Sequence, residues 1–150
     1  MTADQLSTQL VVFSLGNEEY ALPISDVQEI IRYTEPRAVA SIVTWLQGII
    51  SLRGQIIPVC DLASRLGLES EPGEESKIVI VETSNGTAGV VVDNVEEVIT
   101  IENAQFDEVA AVDNELVRAV AKVGDRLIIL LDREGIFGGV DMAARTARAA

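Results

Sequence analysis

The sequence predicts an all-β fold of two small barrels that share one core, and three features of the chain support this. Hydrophobic residues make up 48% of the chain and aromatic residues only 4%, so the core is aliphatic and suits strands. Short β-branched runs alternate with turns that contain Gly, Asn or Asp, as in other all-β domains. The second half of the chain repeats the pattern of the first.

The first half contains several predicted strands and one short helix. The strands cover 9–15, 20–24, 48–52 and 56–60. Ser25 is predicted either to cap a short helical turn or to lie where the chain enters a third strand directly. The turn at 53–55 joins the last two strands in a hairpin. Asp61 is predicted to cap a short helix that ends before Gly67, and an acidic segment, 69–76, leads into the second half.

The second half repeats this order of elements. An offset of 68 positions places Glu29 on Glu97, and an offset of 71 places Asp61 on Asp132. Strands are predicted at 77–81, 88–92 and 127–131, and a short helix at 132–137. The segment 95–99 follows the second of these strands as the counterpart of 27–31, and 116–123 is an apolar segment. Each half alone is near the size at which a single core is marginal, so the halves should share apolar surface.

We therefore expect one domain over 9–138. Its subdomain halves cover approximately 9–68 and 77–138 and are intertwined at the termini, and a tail follows at 139–150.

Charge and composition disfavour several kinds of partner. With 24 Asp and Glu against 11 Lys and Arg, the net charge is −13, which disfavours nucleic acid and anionic lipid. No apolar run reaches the roughly 18 residues that span a bilayer, and the first residues lack the pattern of a signal peptide. We therefore expect a cytoplasmic protein without direct membrane insertion.

The chain also lacks the usual residues of cofactor and metal sites. It contains no His and one Cys, so it cannot build a zinc site from nitrogen and sulfur ligands. No glycine-rich phosphate loop is present. Cys60 lies in an apolar run and is predicted to be a core residue. We expect no cofactor and no metal.

Matched carboxylates leave an enzyme as an alternative. Asp61 and Asp132 occupy equivalent positions, as the two aspartates of an aspartic protease do. Neither is followed by the Thr/Ser-Gly that such enzymes need, so helix caps are the favoured interpretation. Glu29 and Glu97 also match, as solvated positions or as partner contacts.

Two further residues have open interpretations. Arg53 at its turn could be a solvated residue, part of a weak local salt bridge, or a bidentate anchor for a partner. Trp45 could be a core residue or an exposed interface anchor.

Motifs along most of the chain match one family. They are Val11–Gly16, Glu19–Ile24, Val27–Ile30, Gly48–Gly54, Ile57–Leu62, Gly89–Asp93, Val95–Val98 and Asp125–Asp132. Taken together they cover about residues 9 to 138, and the chain resembles the CheW-like domain family.

The resemblance implies two SH3-like five-stranded β-barrel subdomains, related by pseudo-two-fold symmetry around a shared core, with short helices. It implies a non-catalytic adaptor that couples methyl-accepting chemoreceptors to the histidine kinase CheA in chemotaxis, at receptor arrays on the inner face of the membrane. The residues implied in binding the kinase regulatory domain are Val27, Ile30 and Gly48. Those implied in binding the receptor signalling tip are Glu29, Arg53, Gly89, Val95 and Val98.

Three positions depart from the family pattern. Thr44, Ser51 and Arg118 stand where Pro, Asn and Gly are usual. They leave open an adaptor of a divergent chemosensory pathway, such as one that controls pilus motility.

Overall fold

A computed structural model describes residues 7–40, 45–69, 71–102, 105–107 and 115–137. The predicted tail at 139–150 and the departure at Thr44 lie outside these residues. The strands in the described part are β1 (Ser7–Leu15), β2 (Glu18–Pro23), β3 (Val27–Arg32), β4 (Leu46–Leu52), β5 (Gln55–Cys60), β6 (Lys77–Thr83), β7 (Gly86–Val92), β8 (Asn94–Glu102), β9 (Phe106–Asp107), β10 (Val117–Val123) and β11 (Arg126–Leu131). The helices are α1 (Leu62–Arg65) and α2 (Arg133–Ile136).

The strands form two sheets, which confirms the predicted all-β class. One sheet has the order β8-β1-β2-β11-β10-β9 and the other the order β3-β6-β7-β5-β4. The sequence repeat relates β1 to β6, β2 to β7, β3 to β8, β4 to β10 and β5 to β11. When each strand is replaced by its counterpart, the order β8-β1-β2-β11-β10 in the first sheet becomes β3-β6-β7-β5-β4, which is the order of the second sheet. Each sheet takes strands from both halves of the sequence.

The segment that begins at Ser25 combines the two predicted alternatives. Ile24–Asp26 forms one 3₁₀ turn, closed by a bond from the Val27 N–H to the Ile24 carbonyl, and strand β3 follows directly. The N-cap position of this turn is Pro23 and not Ser25, and it supplies no side-chain capping hydrogen bond. The two-residue strand β9 was not predicted, because a run this short leaves no alternating pattern in the sequence.

A core shared by both sheets lies between them, as predicted. It contains Phe13 and Leu22 from one sheet, Val79 and Val90 from the other, and residues from both helices. Trp45 belongs to it, with 6% of its surface exposed and its ring edge-on to Phe137 at 5.3 Å. Each sheet also encloses a smaller aliphatic cluster of its own. Trp45 is therefore a core residue and not an exposed anchor.

The two helices make hydrogen bonds to each other and to the five-stranded sheet. Arg65 of α1 donates to the carbonyls of Gly135 and Ile136 in α2, each at 3.1 Å, and forms an ion pair with Glu115. Glu134 of α2 accepts hydrogen bonds from the backbone and hydroxyl of Ser84, in the turn between β6 and β7. The described helices are too short and not apolar enough to cross a membrane.

Cys60 provides a test of this packing. It is fully buried in the shared core, and burial raises the pKa of its thiol, so the reactive thiolate is suppressed in the folded state. We expect Ellman's reagent to label the native protein at least about a thousandfold more slowly than the urea-unfolded chain, because labelling requires global opening. Rapid labelling of the native protein would contradict the buried position of Cys60.

Candidate functional site

The hairpin between β4 and β5 determines where Arg53 is placed. Leu52 pairs with Gln55, so Arg53 and Gly54 form a two-residue turn. Their φ angles are 50° and 81°, both in the left-handed region that a type I′ turn requires. Gly54 adopts this region freely, whereas a residue with a Cβ does so at a cost of roughly 1–2 kcal/mol.

Arg53 and Glu29, both implied in receptor binding, contact each other. The two guanidinium NH₂ groups of Arg53 donate to the two carboxylate oxygens of Glu29 on β3, one of them at 2.9 Å. These hydrogen bonds lower the pKa of Glu29 and raise that of Arg53. The Arg53 side chain remains 71% exposed. The pair joins β3 to the β4–β5 turn and leaves further N–H groups of Arg53 facing solvent.

A bulge in β3 arranges the two aliphatic residues implied in kinase binding. The pairing register with β6 shifts between Val27 and Glu29. Val27 consequently packs against the shared core, whereas Ile31 packs against the smaller aliphatic cluster that the five-stranded sheet encloses. Ile30 pairs with the core residue Val79 but is 38% exposed. Val27 and Ile30 therefore lie on the outer side of this sheet, meaning the side that faces away from the cluster the sheet encloses. Val27 is half-buried there by the shared core, and Ile30 is exposed.

Strand β8 repeats this arrangement in the other sheet. Its register with β1 shifts after Val95, which packs against the shared core, and Ile99 packs inside the six-stranded sheet. Val98 is 51% exposed. The structure thus brings Val95 and Val98 to positions equivalent to Val27 and Ile30.

The equivalent glutamate also pairs with an arginine. Arg126 at the start of β11 donates to Glu97 at 3.0 Å and to both oxygens of Glu19, at 2.7 and 3.0 Å. The hydrogen bonds from Arg126 lower the pKa of Glu19. The sequence interpretation missed Arg126. A usable signal was that Arg126 lies in the β10–β11 hairpin, which is the counterpart of the β4–β5 hairpin that contains Arg53.

Gly48 and Gly89, the other two residues of the implied sites, are buried. A Cβ on Gly48 would overlap the carbonyl of Arg37, whose backbone pairs with Ile49 of β4 at 2.8 and 2.9 Å. A Cβ on Gly89 would lie 2.8 Å from a methyl group of Ile78. Both positions need glycine for close packing, so substitutions there act first on the sheet and only through it on a partner.

The two most exposed large aliphatic residues of the described part were not singled out by the sequence interpretation. Ile56 on β5 is 61% exposed and Leu127 on β11 is 57% exposed. They occupy equivalent positions in the two halves at the 71-residue offset. Both lie in continuous apolar runs, where no polar alternation marks the outward face.

The aspartates of the enzyme alternative act as helix caps. Asp61 accepts from the Ser64 N–H at 3.3 Å and Asp132 from the Glu134 N–H at 3.0 Å. Asp132 lines an open cavity of about 820 Å³ with Asp26, whose pKa is raised by burial, whereas Asp61 lines a separate cavity of about 30 Å³. The described residues contain no cluster of three carboxylate or sulfur ligands for a metal.

Comparisons with known proteins agree with this architecture. The CheW-like domain family matches residues 9–140. The chemotaxis protein CheW of Klebsiella aerogenes is 28% identical over 148 residues, which cover 95% of this chain and 89% of that protein. Protein PilI of Pseudomonas aeruginosa is 29% identical over 84 residues, 55% of this chain and 47% of PilI.

A solved structure is similar over most of its length. The crystal structure of the scaffolding protein CheW from Thermoanaerobacter tengcongensis has a TM-score of 0.81 at 35% identity, and the match covers 91% of each chain. Since the family match spans most of the sequence and the fold agrees, this chain belongs to the CheW-like domain family.

Proposed function

We propose that this protein is a non-catalytic, cytoplasmic adaptor that couples methyl-accepting chemoreceptors to the regulatory domain of the histidine kinase CheA. One observation carries the proposal: two sheets, fixed to each other by a shared core, present exposed aliphatic residues at equivalent positions, and each has an equivalent glutamate paired with an arginine of the neighbouring hairpin. Relatives that are named chemotaxis proteins support it. Recruitment to receptor arrays at the inner face of the membrane belongs to the same proposal.

The kinase surface in this proposal is the outer side of the five-stranded sheet. Ile30 supplies exposed apolar area, and Val27 beside it is held by the shared core. Gly48 acts indirectly, because it allows the segment at 36–37 to close against β4. A rigid, pre-formed surface of this kind loses little conformational entropy on binding.

The receptor surface combines the Arg53–Glu29 pair with strand β8. An amphipathic helical hairpin would place apolar residues against Val95 and Val98, and the free donors of Arg53 would fix its register. Glu29 holds the guanidinium in place, and Gly89 keeps β7 close to its neighbours. The affinity of each single contact would be modest, and avidity within an array would supply much of the total binding strength.

Replacing Arg53 tests the receptor surface. We expect Arg53→Ala to weaken binding of a receptor signalling fragment about tenfold, or ~1.4 kcal/mol, while affinity for the CheA regulatory domain changes less than about twofold. The measurement is calorimetric titration of each fragment, both taken from the same cell as this chain. Lys122→Ala, which removes an exposed, ion-paired cation of the other sheet, is the matched control.

Three results would count against the proposal. Wild type that binds neither fragment would remove the adaptor function. Equal losses for Arg53→Ala and Lys122→Ala would mean that only net charge matters. Unchanged receptor affinity in Arg53→Ala would remove Arg53 from the site.

A second candidate is an adaptor of a pilus-related chemosensory pathway, which the similarity to PilI favours. The same surfaces would serve it, with different receptor and kinase partners. Titration with signalling fragments of both pathways separates the two candidates by relative affinity.

A further inference from the structure

Two cations lie side by side at one end of the five-stranded sheet. Arg32 is the last residue of β3, and its partner in the antiparallel register is Lys77, the first residue of β6. Side chains at directly opposed positions project from the same face, with their Cβ atoms about 5 Å apart. Arg32 is exposed and Lys77 is half-buried.

This pairing is unfavourable for the isolated fold. Like charges directly opposite in an antiparallel pair are destabilising. The chain has more than twice as many acidic as basic residues, 24 against 11, so carboxylate partners are abundant. The ammonium group of Lys77 donates to the backbone carbonyl of Glu75 at 2.9 Å and not to a described carboxylate.

Most other described cations are compensated. Ion pairs hold Arg53, Arg65, Lys122, Arg126 and Arg133. Among the described residues, neither Arg32 nor Lys77 has a carboxylate within 4.0 Å. The fold therefore keeps two adjacent positive charges available at its surface.

The two cations extend the surface that contains Ile30. Gln28, Ile30 and Arg32 are the exposed positions of β3, so Ile30 and Arg32 project from the same side. Two residues of strand span about 6.6 Å, so a partner that covers Ile30 also reaches Arg32 and Lys77.

We infer that Arg32 and Lys77 bind an acidic segment of the protein that covers Ile30. This rests on the proposed function, in which that protein is the kinase regulatory domain. Complementary charge at the rim of an apolar contact raises the association rate and fixes the orientation of the partner. The binding energy of the complex then offsets the repulsion between the two cations in the free adaptor.

Arg32→Glu is the test variant, because it separates binding from stability. The substitution converts a like-charge pair with Lys77 into an opposite-charge pair. The variant should therefore keep or raise its Tm, by up to about 4 °C. Its affinity for the CheA regulatory domain should fall about tenfold at low salt. Lys122→Glu, with the same change of net charge on the other sheet, is the control and should bind within about twofold of wild type.

Salt dependence provides the second readout. Wild-type affinity should decrease as NaCl rises from 50 to 500 mM, and Arg32→Glu should flatten this dependence, because the screened attraction has been removed. A purely structural role for Arg32 would lower the Tm and leave the salt slope unchanged.

The outcomes separate this inference from the function on which it rests. Wild-type binding that Arg32→Glu leaves intact would overturn the inference and keep the adaptor. Equal losses in Arg32→Glu and Lys122→Glu would also overturn it, in favour of non-specific attraction. Wild type that fails to bind the kinase fragment would overturn the proposed kinase partner, and the inference with it.

Discussion

Gly135→Ala is expected to lower the free energy of unfolding by about 3 kcal/mol, measured by urea denaturation. Gly135 lies in α2 against the backbone of Glu115 and Leu116, and a Cβ there would overlap the Glu115 carbonyl. Backbone atoms cannot move aside as a flexible side chain can. Helix propensity acts in the opposite direction, since Ala is favoured over Gly by about 0.5–1 kcal/mol in a helix.

The control is Ser64→Ala at the equivalent position of α1. Ser64 is exposed, and its backbone N–H supplies its bond to Asp61, so the substitution should change stability by less than about 0.5 kcal/mol. A Gly135→Ala variant as stable as wild type would mean that propensity outweighs packing here, and that α2 does not lie tightly against Glu115.

Strand positions could be predicted because each strand carries its own local signal. The run from Ile56 to Cys60 is apolar and β-branched, and the turn before it contains Gly54. Asp61 precedes a run that ends at Gly67, which marks a short helix at both ends. Signals of this kind need only a few neighbouring residues, so one sequence suffices to locate them.

The order of strands in the sheets could not be predicted in the same way. The parallel pairs β5–β7 and β2–β11 join segments far apart in the chain, with Val59 opposite Gly89 and Tyr20 opposite Ile129. Such contacts leave no periodic pattern in either strand alone. The repeat indicates that the two halves are similar, but it does not indicate which strands they exchange.

Only part of the candidate site could be predicted from the sequence, because the rest of it also depends on contacts between distant segments. The family resemblance supplied Glu29 and Arg53, but their contact depends on β3 meeting a turn 24 residues away. The bulge that sends Val27 and Ile31 to different clusters breaks the two-residue period on which strand prediction relies. The position of Lys77 opposite Arg32 likewise becomes visible only with the register.

Phe13→Ala is expected to destabilise the whole molecule by about 4 kcal/mol. Phe13 is fully buried in the shared core, where its ring lies stacked on Tyr20 with centroids 6.4 Å apart. Because this core joins both sheets, its loss should not release one sheet alone. Fluorescence of Trp45, the single tryptophan, and far-UV circular dichroism should therefore shift to lower urea by the same amount.

Phe106→Ala is the matched aromatic control. Phe106 is half-buried on the two-residue strand β9 and packs against the cluster that the six-stranded sheet encloses, so its removal should cost about 1 kcal/mol. Separate fluorescence and dichroism transitions in Phe13→Ala would mean that the sheets unfold independently. The shared core would then be an interface between two domains, and a partner on one sheet could not depend on the other for its alignment.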